Sequence, residues 1–341
     1  MTTTVFVSGA TGFIAQHIIK LLLEKGYHVV GTVRSTEKGD SLKASLNSDN
    51  FSYEIVPDIG VEGAFDEALK KHPEVTVFLH TASPFHFKTT DPEKDLLLPA
   101  INGTKNALSS IKKYGPQITN VVVTSSYAAI STAEMENDPS HTNNEDSWNT
   151  VSWEQAISNP VHGYRGSKTF AEKAARDFVE QEKPNYVLAT INPSFVFGPQ
   201  AFSSQVGDVL NTSSEIINNL LKLGPDGTIP PTVGGFVDVR DVALAHLVAF
   251  EKPEAKNSRL LLNSQRFNSQ SILDVLNKSF PQIRGKIPVG IPGSAPEALA
   301  KMCKIENERT RALIGQPLIE LEQSVVDSVQ QILDTKPDLF A

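Results

Sequence analysis

The chain has 341 residues, 40% hydrophobic and 21% charged, with a formal net charge of −8. Such a composition describes a soluble globular protein with room for one large or two modest domains. An acidic chain without a long basic run is a poor binder of nucleic acid or anionic membrane, and no apolar run approaches the ~18–20 residues of a membrane span.

Six stretches read as strands: TVFVSG (4–9), HVVGTV (28–33), SYEIV (52–56), VTVFLHT (75–81), ITNVVVTS (118–125) and YVLATIN (186–192). They are too continuous in Val, Ile, Phe and Thr to leave a solvent face, as in strands buried on both sides of a parallel sheet. Helical patterns lie between them at 12–25, 62–71, 93–114 and 163–183. In the last third, 214–224, 269–280, 296–305 and 318–333 look helical, and 234–239 and 259–263 look like strands. The alternation predicts an α/β fold, a doubly wound parallel sheet with a smaller helix-rich C-terminal lobe. The expected division is 1–194 and 229–262 for cofactor, and 195–228 and 263–341 for substrate.

VSGATGFIA (7–15) follows the first strand and opens the first helix. Gly9 permits a tight turn, Gly12 lets backbone approach a pyrophosphate, and Ala15 allows close helix–strand packing. Thr11 lies in the same loop, and the helix start directs unpaired N–H groups at an anion. The second strand ends in GTVRSTEK, with no acid for adenosine ribose hydroxyls; Arg34 and Lys38 stand there instead. A 2′-phosphate suits an arginine fork, so NADPH is the expected cofactor; the alternative is two solvated surface cations. After the third strand, Asp58 and Ile59 are placed beside adenine, or Asp58 is a turn residue.

Several strands turn small or polar at their C-terminal ends, the edge where ligands bind in such sheets. Thr81, Ala82 and Ser83, then Ser125 and Ser126, then Pro193 and Ser194 emerge there. Within GYRGSK (163–168), Tyr164 and Lys168 lie one helical turn apart on one face. Reduction of a carbonyl needs a hydride donor, a proton donor and a group to orient the oxygen. Tyr164 is the expected proton donor, with Lys168 lowering its pKa and bonding the nicotinamide ribose, and Ser126 donating to the carbonyl oxygen.

With these residues in place, the chain resembles an extended short-chain dehydrogenase/reductase. More narrowly, it is similar to fungal NADPH-dependent carbonyl reductases of the yeast methylglyoxal/3-methylbutanal reductase type, related to plant dihydroflavonol reductases. The matching stretches are VFVSGATGFIAQHI, LHTASPF, VVVTSSYAA, YRGSK, NPSFVFGPQ, LNTSSE and FVDVRDVALAHLVAF. The resemblance implies a Rossmann fold, reversible reduction of aldehydes and ketones to chiral alcohols, and the Ser126–Tyr164–Lys168 triad. It also implies cofactor contacts from Phe13, Ile14, Arg34, Lys38, Asp58, Thr81, Ser83, Pro193, Val196 and Ser213. The expected substrate wall is Phe85, Tyr127, Ile130, Val161 and Phe195. Phe195 replaces the tyrosine more frequent in this family segment, which removes a hydroxyl and suggests tolerance for bulky apolar ketones.

Two rival readings use the same residues. A sugar-nucleotide epimerase or dehydratase shares the triad but needs cations for a second diphosphate, and the helical lobe offers few. A non-enzymatic NADP-binding protein tends to lose the tyrosine, which is kept here. The expected partner is a small aldehyde or ketone, and the expected assembly is a monomer or homodimer.

The remaining signals are read as structural. Eight histidines show no metal-ligand spacing, so no metal is expected. His80 is placed at a strand end, and His246 on a helix packed against the sheet. EMENDPSHTNNEDSW (134–148) is expected to be a solvated loop, and DVRDVALAH a strand-to-helix junction capped by Asp. The one cysteine, Cys303, excludes an intrachain disulfide and fits a reducing compartment. The N-terminus lacks the pattern of a signal peptide, so a cytoplasmic location is expected.

Overall fold

In a computed structural model, which describes residues 3–83 and 89–340, strands and helices alternate as the apolar pattern requires. In chain order the first half comprises β1 (Thr4–Ser8), α1 (Phe13–Glu24), β2 (His28–Val33), α2 (Thr36–Leu46), β3 (Phe51–Ile55), α3 (Asp66–Lys71), β4 (Val75–His80), α4 (Leu98–Tyr114) and β5 (Asn120–Thr124). Then come α5 (Ala133–Glu136), β6 (Thr142–Asn143), α6 (Trp153–Ala156), α7 (Pro160–Glu182), β7 (Val187–Pro193), β8 (Phe195–Phe197), α8 (Ser214–Lys222), β9 (Val233–Asp238) and α9 (Val239–Glu251). The chain closes with β10 (Arg259–Leu262), β11 (Gln265–Asn268), α10 (Ser269–Ser279), α11 (Ala295–Leu299), β12 (Lys304–Ile305), α12 (Glu308–Ile314) and α13 (Leu321–Thr335).

Seven parallel strands form the central sheet in the order β10-β7-β5-β4-β1-β2-β3. Successive side chains enter opposite cores, as a two-residue period demands. Val5, Val7, Val77, Leu79 and Val122 meet α1 and α9 on one face. Phe6, Phe78, Val121 and Val123 meet α3, α4 and α7 on the other. Phe6 stacks on Phe78 with centroids 4.8 Å apart; burying each such ring contributes about 1.5–3 kcal/mol. Strand β3 is the exception to two-sided burial. It ends the sheet, and Ser52 and Ile55 are exposed.

The first strand of the last third, at 234–239, departs from expectation. The 259–263 segment does extend the central sheet as β10, but β9 pairs with β11 and β8 in a separate three-stranded sheet. Its Phe236 stacks on Phe197 at 5.3 Å, over a third core supplied by α8, α10 and α13. Residues 296–305 are not one helix: α11 stops at Leu299, and β12 pairs with β6. That pairing also corrects the solvated-loop expectation for 134–148. Glu145 is buried and accepts from the Thr310 N–H at 2.9 Å, and Glu136 is engaged with Arg165. Charged residues there satisfy neighbours distant in sequence, which local polarity does not reveal.

His246 on α9 is buried against the sheet as expected. Its Nδ1–H donates to the Val242 carbonyl at 2.8 Å, leaving Nε2 to accept from the Thr124 hydroxyl at 2.7 Å. Burial pulls it down to about 4, so it is neutral. Asp238 caps α9 through the Arg240 N–H at 2.9 Å. No helix among the described residues is long and apolar enough to cross a membrane.

Candidate active site

The loop after β1 is shaped by its glycines. Gly9 has φ +69°, and a Cβ there would lie 3.0 Å from Ala82; glycine alone meets both demands. Its N–H donates to Thr32 Oγ1 at 3.0 Å, and the Gly12 N–H donates to the Gly9 carbonyl at 2.9 Å. Helix α1 then starts at Phe13 with no side-chain cap and no acid in its first turn. Gly12, Phe13, Ile14 and Ala15 line a cavity at that uncapped end, which suits a phosphate. We expect Gly9→Ala to lower thermal stability by about 1–3 kcal/mol and to weaken NADPH binding. Thermal unfolding and a fluorescence titration check this; wild-type values for both would refute it.

Arg34 and Lys38 stand exposed just past β2, without side-chain partners among the described residues. Ser35 caps α2 between them, its Oγ accepting the Lys38 N–H at 3.4 Å. Lys38 and Thr11 share a shallow hollow with Glu37, Ser41 and Gln205. Asp58 does form a turn, accepting the Gly60 N–H at 2.8 Å, and Ile59 packs under Gly103 of α4. After β4, the N–H groups of Thr81 and Ala82 each donate to Ser8 Oγ at 3.1 Å. Ser8 also pairs with His80 Nδ1 at 2.9 Å, and burial pulls that imidazole down to about 4.

Ser126 follows β5 and caps a short turn, its Oγ accepting the Ala128 N–H at 3.1 Å. Helix α7 begins three residues earlier than its apolar stripe suggests. Asn159 accepts from the N–H groups of Val161 and His162 at 3.0 and 2.9 Å, and Pro160 takes the first position. Tyr164 and Lys168 therefore sit in its second and third turns. The Tyr164 hydroxyl donates to Ser126 Oγ at 3.2 Å, across 38 residues of sequence. Burial pushes this phenol above its usual value, opposed by the Ser126 hydrogen bond and the charge of Arg165. It keeps its proton at neutral pH. Burial also pulls the Lys168 ammonium down to about 8, opposed by Glu172.

Two adjoining cavities meet at this hydroxyl pair. The first holds the α1 end with Thr81, Ser83, Ser126, Tyr164, Lys168, Pro193, Ser194, Val196 and Ser213. The second shares Ser126, Tyr164, Pro193, Ser194 and Ser213, and adds Tyr127, Val161, Phe195, Glu136 and Arg165. Val161 and Phe195 are 55% and 37% exposed there. Tyr127 turns its hydroxyl away from solvent, accepting from Asn143 Nδ2 at 2.9 Å. Ile130 does not reach the wall: it is fully buried in one apolar cluster with Tyr127 and Leu261, which its branched side chain helps to fill. Phe85 lies outside the described residues.

Three features escaped the sequence reading. Arg165 makes a two-pronged bond to Glu136, Nη1 to Oε1 at 2.8 Å and Nη2 to Oε2 at 2.9 Å, and so puts a charged pair on the second cavity. Glu172, one helical turn after Lys168, is buried rather than solvated. Asn211 and Thr212 line the first cavity beside Ser213. The four-residue spacing from Tyr164 through Lys168 to Glu172 is a signal that could have found the second of these. Among the described residues no cluster of three or more His, Cys, Asp or Glu could hold a metal ion.

Comparison with known proteins gives these residues a lineage. The model of the NAD dependent epimerase/dehydratase family matches residues 5–263. The NADPH-dependent methylglyoxal reductase GRE2 of Saccharomyces cerevisiae is 48% identical over 335 residues, covering 97% of this chain and 98% of its own. The ketoreductase azaE of Aspergillus niger is 40% identical over 338 residues, covering 97% of each. The crystal structure of Gre2 from Candida albicans in complex with NADPH superposes with a TM-score of 0.96 at 57% identity, over 98% of this chain and 99% of that one. With its glycine loop, hydroxyl pair and helix lysine on one sheet edge, this chain belongs to the NAD dependent epimerase/dehydratase family, the extended short-chain dehydrogenases/reductases.

Proposed function

We propose that this protein reduces aldehydes and ketones to alcohols with NADPH, using Ser126, Tyr164 and Lys168. The observation that carries the reading is the Tyr164–Ser126 hydroxyl pair, 3.2 Å apart where the two cavities join. The full-length likeness to proteins named as NADPH-dependent methylglyoxal reductase and ketoreductase supports it.

NADPH, when bound, supplies the hydride that reaches the carbonyl carbon. Gly9, Thr11, Gly12 and the uncapped α1 end would hold its diphosphate, and Arg34 and Lys38 its 2′-phosphate. Asp58 and Ile59 would flank the adenine. Thr81, Ala82, Ser83, Lys168, Pro193, Ser194, Val196 and Ser213 would line the nicotinamide side. Ser126 donates a hydrogen bond to the carbonyl oxygen and orients it. Tyr164 delivers its proton to that oxygen as negative charge develops, and the alcohol leaves neutral. The Lys168 ammonium supports the phenolate that remains. Tyr127, Val161 and Phe195 form an apolar wall, with the Glu136–Arg165 pair as its polar end. The lobe of residues 195–228 and 263–341 closes the substrate side. The reading includes a cytoplasmic monomer or homodimer.

An NADPH-consumption screen over aldehydes, diketones and bulky aryl ketones, with product chirality measured, tests it. Steady NADPH oxidation with one enantiomer in excess is the expected result. Tightly held cofactor without net consumption would overturn it in favour of a sugar-nucleotide epimerase or dehydratase.

A further inference from the structure

Helix α7 carries Tyr164, Lys168, Glu172 and Arg176 at successive four-residue steps, hence along one face. Glu172 is the unexpected member, because its side chain has no solvent exposure. A carboxylate so placed is unfavourable unless paired and fully hydrogen-bonded. Its Oε2 accepts from Ser125 Oγ at 2.5 Å and Asn192 Nδ2 at 2.6 Å. Its Oε1 accepts from Arg259 Nε at 2.7 Å and Thr190 Oγ1 at 3.1 Å, with Arg176 Nε 3.5 Å away. The outcome is a carboxylate held ionised: burial pushes it up, but Arg259, Ser125 and Arg176 outweigh that and keep it below its usual range.

The partners of Glu172 lead straight to the reacting groups. Ser125 is the neighbour of Ser126, and Asn192 Nδ2 also donates to the Ser126 carbonyl at 3.1 Å. One carboxylate thus ties the ends of β5 and β7 to the helix that bears Tyr164 and Lys168. It also lines, with Lys168 one helical turn before it, one small cavity. The elements around that lysine present few other charges among the described residues. Tyr164 and Glu172 come from α7, and His80, neutral through burial, from β4. The β5 end presents Thr124 and Ser125, and α4 presents Thr104.

We propose that Glu172 is a positioning residue, which holds Ser126 against Tyr164 through Ser125 and Asn192 and supplies the counter-charge to Lys168. This rests on the roles given to Ser126, Tyr164 and Lys168 above. The sign follows from the charges. An ammonium exists below its pKa and is lost as pH rises through it. Removing the nearby anion disfavours the ammonium, so Lys168 loses its proton at lower pH.

The test is Glu172→Gln, read in two ways. Amine labelling of Lys168 followed across pH by mass spectrometry, without substrate, reports the protonation midpoint directly. It is expected near 8 in the wild type and about one unit lower in the variant. The alkaline limb of kcat moves the same way, so the kcat deficit of the variant grows about fivefold between roughly pH 6 and pH 8 and approaches tenfold above roughly pH 9. Ser125→Ala removes one clamp bond and no charge; it lowers kcat several-fold at every pH and leaves the labelling midpoint in place. If Glu172→Gln leaves Arg259 unpaired and does not fold, Glu172→Gln with Arg259→Met removes both charges together and carries the same expectation. An unchanged midpoint, or a kcat loss in Glu172→Gln independent of pH, overturns the proposal. Failure of the reductase reading would appear instead as a wild type without turnover, and the labelling midpoints would still decide the role of Glu172.

Discussion

Tyr164→Phe is expected to lower kcat by a factor on the order of 10²–10⁴ while NADPH affinity stays within about twofold. The substitution removes one hydroxyl and keeps the ring. The fold loses the 3.2 Å hydrogen bond with Ser126 Oγ, worth about 1 kcal/mol. The reaction loses its proton source at the oxygen, which neither the Ser126 hydrogen bond nor the ammonium replaces. Burial keeps the native phenol protonated, so the wild type enters each turnover with the proton in place. Stopped-flow or steady-state NADPH oxidation measures the loss, and fluorescence titration measures binding. Unchanged turnover in Tyr164→Phe would sink the mechanism.

Arg34→Ala is expected to raise the KM for NADPH about 10- to 100-fold and to leave that for NADH nearly unchanged. A charge-assisted bond to a phosphate contributes about 1.5–3 kcal/mol, and each 1.4 kcal/mol is tenfold in affinity. The effect is confined to NADPH because only its 2′-phosphate offers the second charge. Arg34 is exposed and without side-chain partners among the described residues, so its loss leaves the fold intact. An equal rise for both dinucleotides would refute the phosphate role. Lys38→Ala should act in the same direction, more weakly, since an ammonium lacks the planar fork of donors.

Much of the site was legible from local rules. A four-residue step on a helix brings Tyr164 beside Lys168 whatever surrounds them. A glycine that must take φ +69° announces the turn after the first strand. Polar residues at strand ends pointed to the edge where Ser126, Pro193 and Ser194 emerge. Arg34 was conspicuous because an acid was missing. Other parts were not legible. Asn159-Pro160 marked the true start of α7, but the stripe of apolar residues drew attention to a later one. Helix α2 is mostly polar, with only Gly39 and Leu42 buried, and offered no stripe to read.

What the sequence determined by itself was the alternation of apolar strands and helices, the glycine turn after β1 and the Tyr164–Lys168 spacing, since each depends on residues within a few positions of one another. Tertiary structure alone decided which distant groups share a space. It put Ser126 against Tyr164, Glu136 on Arg165, and Ser125, Thr190, Asn192 and Arg259 around Glu172. It also turned Ile130 inward and joined β6 to β12. The reason is physical: a buried charge is tolerated only where its partners converge from several elements, and that convergence exists only once the strands have taken their order in the sheet.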